Sequence, residues 1–170
     1  MTQTGTKTFG VQLEAPTIKE SAALIIAGFR ERYAGGNMDG IVAQWDRFAP
    51  HIGKIPGETS LCAYGLCFNT SDLANLEYMT GVQVASLVGV PSEFSAVTIP
   101  AQRYAIFLHH GHISQLKATF DAVWSKGLPA SGCKITPAAA GAPDFFEFYT
   151  NAFDPATLTG TVEIWIPIQA

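Results

Sequence analysis

RYAIFL at residues 103–108, ISQLKATFDAVW at 113–124, DFFEFY at 144–149 and TVEIWIPI at 161–168 follow one another within the stretch Ser95–Ile168. They read strand, helix, strand, strand, with a further short strand, Ala96-Val97-Thr98-Ile99, ahead of them. In the second segment Ile113, Leu116, Phe120, Val123 and Trp124 fall at i, i+3, i+7, i+10 and i+11, which puts all five on one stripe of a helix. Lys126-Gly127 followed by Pro129 predicts where it stops: a cation against the carbonyl end and a glycine free to take a left-handed cap. The last two strands each carry a carboxylate, Glu147 and Glu163, among aromatic and β-branched residues. Burying such a charge is costly unless something pairs with it, so these two acids are the first pointers to function.

The N-terminal half repeats the order. Pro16 to Phe29 alternates and then becomes continuously apolar at Ala22–Ala27, which predicts a strand entering the middle of a sheet. Tyr33 to Gly40 is a turn region. Asn37 or Asp39 is placed to cap a helix through Ile41, Val42, Trp45 and Phe48 that stops before Pro50. Leu61 to Phe68 and Leu76 to Leu87 are the next strands, and Pro91 begins the link onward. The two halves, about 15–90 and 94–168, share a pattern and not a sequence. Each would be a small sheet with a helix on one face, able to bury its other apolar face only against its counterpart. The seam between them is then a natural ligand cleft. The fold class expected is α+β and mostly antiparallel, with residues 1–14 a loose N-terminal tail and 15–170 one domain.

Composition excludes several functions. Apolar residues make up 48% of the 170 and charged residues only 14%, so a sizeable core is expected. The net charge is −4 with no Lys/Arg cluster, which argues against direct binding to nucleic acid. No apolar run is long enough to span a membrane, and the first ten residues are not built as a signal peptide. Cys62, Cys67 and Cys133 are odd in number and lack metal-ligand spacing, so a reduced cytoplasmic protein is expected, with Cys62 and Cys67 as buried small residues. No phosphate loop, dinucleotide fingerprint or nucleophile elbow is present, and no cofactor is implied.

Four motifs together resemble one family, the GyrI-like small-molecule-binding domain, also found as the effector-binding domain of AraC- and MerR-type bacterial regulators. They are Arg103-Tyr104-Ala105-Ile106-Phe107-Leu108-His109-His110-Gly111, Leu128-Pro129-Ala130-Ser131-Gly132, Pro143-Asp144-Phe145-Phe146-Glu147-Phe148-Tyr149 and Val162-Glu163-Ile164-Trp165-Ile166-Pro167-Ile168. Ala27-Gly28-Phe29, Trp45, Tyr64-Gly65 and the segment Tyr78 to Val84 match more loosely, so the resemblance runs from Ala15 onward. It implies two βαββ units related by a pseudo-twofold axis, with a central ligand cleft between them. The family's pocket acid falls at Glu147.

Alternation along residues 145–149 puts Phe145, Glu147 and Tyr149 on one face and Phe146 and Phe148 on the other. The purely apolar pair is expected beneath the helix, which turns Glu147 into the cleft; a structural pair with Arg103 stays open. A carboxylate in an aromatic wall suits a flat, hydrophobic, cationic ligand. Glu163 and Trp165 form a second constellation, Trp165 as cleft wall and Glu163 as a second acid or a solvent-facing one. Tyr64 and Tyr78 are expected to face the cleft from the first half, whereas Trp45, Phe120 and Trp124 read as core. His109 and His110 on one strand point to opposite faces, so a metal site is not expected. The resemblance implies a structural or pocket-lining histidine here, and His109 is the candidate.

These residues support a stand-alone binder of hydrophobic, aromatic or cationic small molecules. No helix-turn-helix is expected ahead of the domain, so the chain reads as a sensor without a DNA reader, and a protein partner stays open. A hydrolase of reactive electrophiles is the alternative, with Glu147 orienting or deprotonating a water and Tyr149 donating to the leaving oxygen. A gyrase-inhibitor-like interaction is the third reading; the net charge of −4 is modest for that role.

Overall fold

The computed structural model describes residues 11–170. Among the described residues eight strands form one sheet: β1 (Thr17–Ser21), β2 (Leu24–Arg32), β3 (Glu58–Phe68), β4 (Glu77–Val84), β5 (Ser95–Ile99), β6 (Gln102–His112), β7 (Phe145–Asp154) and β8 (Thr159–Ile168). Helix α1 (Gly40–Phe48) lies between β2 and β3, and α2 (Leu116–Ala122) follows β6. The strand order is β1-β6-β8-β7-β3-β4-β2-β5, and every pairing is antiparallel. The fold is α+β and antiparallel, as expected.

The bounds of the strands and of the second helix depart from the sequence reading. The segment from Pro16 to Phe29 is two strands, not one. β1 ends at Ser21 and pairs with β6, while β2 begins at Leu24 and lies between β4 and β5. The apolar run therefore does sit inside the sheet, with Ile26 and Ala27 fully buried on opposite faces. The strand after Leu76 is likewise shorter, ending at Val84 rather than Leu87.

The second departure is the helix that begins at α2. It does not stop at Gly127: a π-helical turn (Val123–Gly127) leads into α3 (Leu128–Ser131), and Gly132 at φ 70° is the left-handed cap. Pro129 sits in the first turn of α3, where a missing N–H costs little. Gly127 is helical (φ −64°) and serves packing instead. A Cβ there would lie 2.5 Å from Leu13 Cδ2 and 2.7 Å from Phe107 Cε1. Gly127→Ala is expected to lower stability by about 1–3 kcal/mol, read by urea denaturation, because helix propensity alone would favour alanine and only overpacking opposes it. That contact also bears on the expected tail. Residues 1–10 lie outside the described residues, but Leu13 is docked on the core cluster beneath α2.

Both helices cover the same face. Ala27, Val82 and Val84 pack under α1 with Phe48, and Ala105, Phe107, Ile164 and Ile166 pack under α2 with Leu116 and Val123. The other face is buried by strands alone among the described residues. Val97 and Ile99 of β5 share one cluster with Tyr104 and Ile106 of β6, although those strands lie toward opposite ends of the order, so the sheet curls onto itself. Phe146, Tyr64 and Trp165 fill that cluster, with Phe148 packed against it. The apolar pair Phe146 and Phe148 thus finds cover from the curl and not beneath a helix, contrary to expectation. Glu147 consequently faces the helices.

Candidate ligand site

Glu147 stands on β7 at the middle of the sheet, directly opposite Gly65 of β3 on one side and Ile164 of β8 on the other. It is only 4% exposed. Tyr78 of β4 donates its hydroxyl to Oε1 at 2.9 Å, and Tyr149, two residues along β7, donates to Oε2 at 3.3 Å. Trp45 of α1 in turn donates its indole N–H to the Tyr78 hydroxyl at 3.2 Å. Tyr78, at 3% exposure, is as deeply placed as the acid, whereas Tyr149 is half-buried.

Aromatic side chains flank the acid on both sides. Tyr149 meets the ring of Trp45 edge-on at 4.9 Å and that of Phe153 at 5.1 Å. Phe145 meets Phe120 of α2 at 5.4 Å and Trp124 of the π-turn at 5.5 Å, and Trp124 stays 38% exposed. Removal from water pushes the Glu147 carboxyl up to about 7, with the Tyr78 and Tyr149 hydroxyls pulling it part of the way back. Burial also raises the Cys67 thiol, beside Tyr78 and Phe145 on the same face, and the negative Glu147 adds to that rise. Two surface grooves flank α3, one at Trp124, Leu128 and Ile135 and the other at Leu13, Phe107 and Gly127; Glu147 lies in neither.

The structure brings Glu147, Tyr149, Phe145 and Tyr78 together and separates the rest of the expected set. Tyr64 aligns with Phe148 and Glu163 across β3, β7 and β8, and Trp165 aligns with Phe146. All belong to the face turned away from the helices, so Tyr64, Glu163 and Trp165 cannot line a cleft with Glu147. There Trp165 Nε1 donates to Glu163 at 2.7 Å, and Tyr64 donates to Gln83 at 3.2 Å. His109 does lie on the helix face, but its ring is fully engaged: Nε2 donates to the His112 carbonyl at 3.1 Å and Thr119 donates to Nδ1 at 2.6 Å. It pins α2 to β6. Burial holds its pKa below the usual histidine range. Trp45, read as core, is the residue the sequence reading missed, and Gly65 is the other. An isolated glycine inside an apolar strand is a recognisable mark of close approach.

Comparison with known proteins adds the following. The family model for the GyrI-like small molecule binding domain matches residues 14–169. The transcriptional regulator BrlR of Pseudomonas aeruginosa is 30% identical over 153 residues, 89% of this chain. The match takes in 54% of BrlR, so the chain spans about half the length of this relative. A structure of SAV2435 bound to tetraphenylphosphonium superposes with a TM-score of 0.72 at 19% identity, covering 92% of this chain and 95% of that one. The EcmrR C-terminal domain gives 0.65 at 15% identity, with 94% and 99% covered. The two structures share this fold.

Proposed function

This chain belongs to the GyrI-like small molecule binding domain family, and on that premise we propose that it binds hydrophobic aromatic cations over Glu147, in a central cleft flanked by α1 and α2. The observation that carries this reading is a nearly inaccessible carboxylate held by Tyr78 and Tyr149 between aromatic side chains of both helices, with no cationic side chain bonded to it among the described residues. Apolar rings supply area and cation–π contact, and the acid supplies the charge. The complex of SAV2435 with tetraphenylphosphonium supports the ligand class by analogy. The similarity to the regulator BrlR supports an effector-sensing role; a cytoplasmic location and relay through a protein partner belong to the same proposal.

We further infer that residues 15–170 act as one domain of two βαββ units, β2-α1-β3-β4 and β6-α2-β7-β8, each preceded by an outermost strand, β1 or β5, and related by a pseudo-twofold axis at the β3–β7 seam. The strand order supports this: exchanging β1 with β5, β2 with β6, β3 with β7 and β4 with β8 turns the order into its own reverse. Glu147 then lies beside the axis, where a cleft shared by both halves would fall.

Calorimetric titration with tetraphenylphosphonium and with a neutral analogue of similar shape is the direct test, with preference for the cation expected. A cation favours ionised Glu147, so affinity should rise about tenfold per pH unit up to about pH 7 and then level off. Equal affinity for both compounds, unchanged by pH, would remove Glu147 from the site.

One observation favours a second reading, hydrolysis of reactive electrophiles. A carboxyl with a pKa of about 7 is suited to general-base work near neutrality, and the half-buried Tyr149 hydroxyl lies beside it. Glu147 would take the proton of a water as it attacks, and Tyr149 would donate to the leaving oxygen. Incubation with strained or activated electrophiles, followed by mass spectrometry, separates the two. Turnover lost in Glu147→Gln supports the hydrolase, and return of unchanged compound supports the binder.

A further inference from the structure

The Tyr78 ring reaches Glu147 by crossing Gly65, the residue on β3 directly opposite the acid. A Cβ at Gly65 would lie 2.1 Å from the Tyr78 hydroxyl, 2.9 Å from its Cζ and 3.0 Å from Glu147 Oε1. No side chain fits there while Tyr78 keeps its place. From the opposite side Trp45 delivers an indole N–H, a group that can only donate, to the same hydroxyl. A phenol has one proton. With Trp45 donating to its oxygen, the Tyr78 hydroxyl gives its proton to Oε1 at 2.9 Å, the shortest of its bonds.

We propose that Gly65 and Trp45 are positioning residues that act on Glu147 through Tyr78, fixing Oε1 as a permanent acceptor and leaving Oε2 as the oxygen presented to a ligand's charge. This deepens, and rests on, the reading of Glu147 as the binding acid. Were the acid to carry its proton on Oε1, Tyr78 would receive two donors and would have to turn its own proton from the acid to the Tyr149 oxygen, giving up its 2.9 Å bond to Oε1, a cost in a site this deeply buried. The proton of the empty site therefore resides on Oε2, beside the half-buried Tyr149, which can turn to accept it. Proton and ligand compete for one oxygen. Among the described residues, the titratable groups facing the acid are Cys67 on β3, Tyr78 on β4 and Tyr149 on β7 itself. Helix α1 contributes the uncharged Trp45, and β8 places Ile164 opposite.

The test is a carbon-13 NMR titration of the Glu147 carboxyl in the full, ligand-free chain, carried through a double-mutant cycle. Tyr78→Phe is expected to raise the titration midpoint by about one pH unit, the loss of one donor to a charged acceptor. Trp45→Phe and Gly65→Ala should each raise it by less. Trp45→Phe should not move it further once Tyr78→Phe is present, whereas a Cβ at Gly65 still lies 2.9 Å from the ring Cζ and 3.0 Å from Oε1 there, so only part of its shift should vanish. Residues with a merely structural role would alter stability and leave the midpoint where it is. An unchanged midpoint in Trp45→Phe, or a Trp45→Phe shift that adds in full to that of Tyr78→Phe, would overturn the proposal. Should Gly65→Ala fail to fold, the Trp45 cycle decides alone. No ligand enters the measurement, so failure of tetraphenylphosphonium to bind would sink the binding function and leave the result of the cycle standing.

Discussion

Glu147→Gln is expected to weaken tetraphenylphosphonium binding by about two to three orders of magnitude at pH 8, while a neutral analogue of similar shape binds within a few-fold of wild type. The substitution keeps the volume and removes the charge. The glutamine amide can still accept from Tyr78 and donate to the Tyr149 oxygen, so the local geometry is preserved. Breaking a buried ion pair on one side costs about 3–5 kcal/mol, and tenfold in affinity is about 1.4 kcal/mol. The half-buried ring of Tyr149 allows some solvent at the pair in the complex, which brings the expectation to the lower part of that range. The difference should shrink as pH falls, because wild type then carries a protonated, uncharged acid. Equal weakening of cation and neutral analogue would make Glu147 a scaffold residue.

The same substitution is expected to stabilise the ligand-free protein at neutral and alkaline pH. The Glu147 carboxyl is raised from 4.5 to about 7 on folding, so between those values the folded chain holds a proton that the unfolded chain has lost. Its contribution is fully present below pH 4.5 and is lost as pH rises through about 7, after which it is constant. A shift of this size corresponds to about 3 kcal/mol over the whole range. Relative to Glu147→Gln, wild type should lose about 2–3 kcal/mol between pH 5 and pH 8, measured by urea denaturation at each pH. His109 moves wild-type stability the other way, since its lowered pKa penalises the fold as pH drops below the usual histidine range. That term is common to both proteins and cancels in the comparison. A pH-independent difference between them would mean that Glu147 is ionised throughout. Depositing an unpaired acid in the core thus weakens the empty protein and strengthens its grip on a cation.

The elements and the acid were legible in the chain. Glu147 interrupts an aromatic strand, and such a charge demands a reason that neither propensity nor periodicity supplies. Tyr149 and Phe145 followed from alternation, because parity along one strand is local. Parity between strands is not local, and there the reading failed. Nothing within Leu61–Phe68 or Val162–Ile168 says which face a helix will cover, so the sequence points Tyr64 and Trp165 into the cleft and leaves Glu163 between cleft and solvent, although all three lie on the side that the curl closes. The division of residues 16–29 into two strands was hidden for a related reason: β1 is defined by a partner in the other half of the chain. Trp45 was hidden by its own helix stripe, where a core indole and a hydrogen-bond donor to a tyrosine look alike.

The pairing of β1 with β6 has a consequence for how the protein is made. Translation delivers Thr17–Ser21 long before Gln102–His112, the segment it must join, so β1 emerges with no partner to receive it. A nascent strand waiting in that state is exposed to neighbouring chains on the same messenger, and an apolar one would invite pairing with them. The residues Thr17-Ile18-Lys19-Glu20-Ser21 answer that hazard: four of the five are polar or charged, and even in the finished fold most remain exposed. β5 faces no such delay, since β2 is already in place when it leaves the ribosome, and it can afford the apolar Val97 and Ile99. The contrast between the two outermost strands runs parallel to the order of their synthesis.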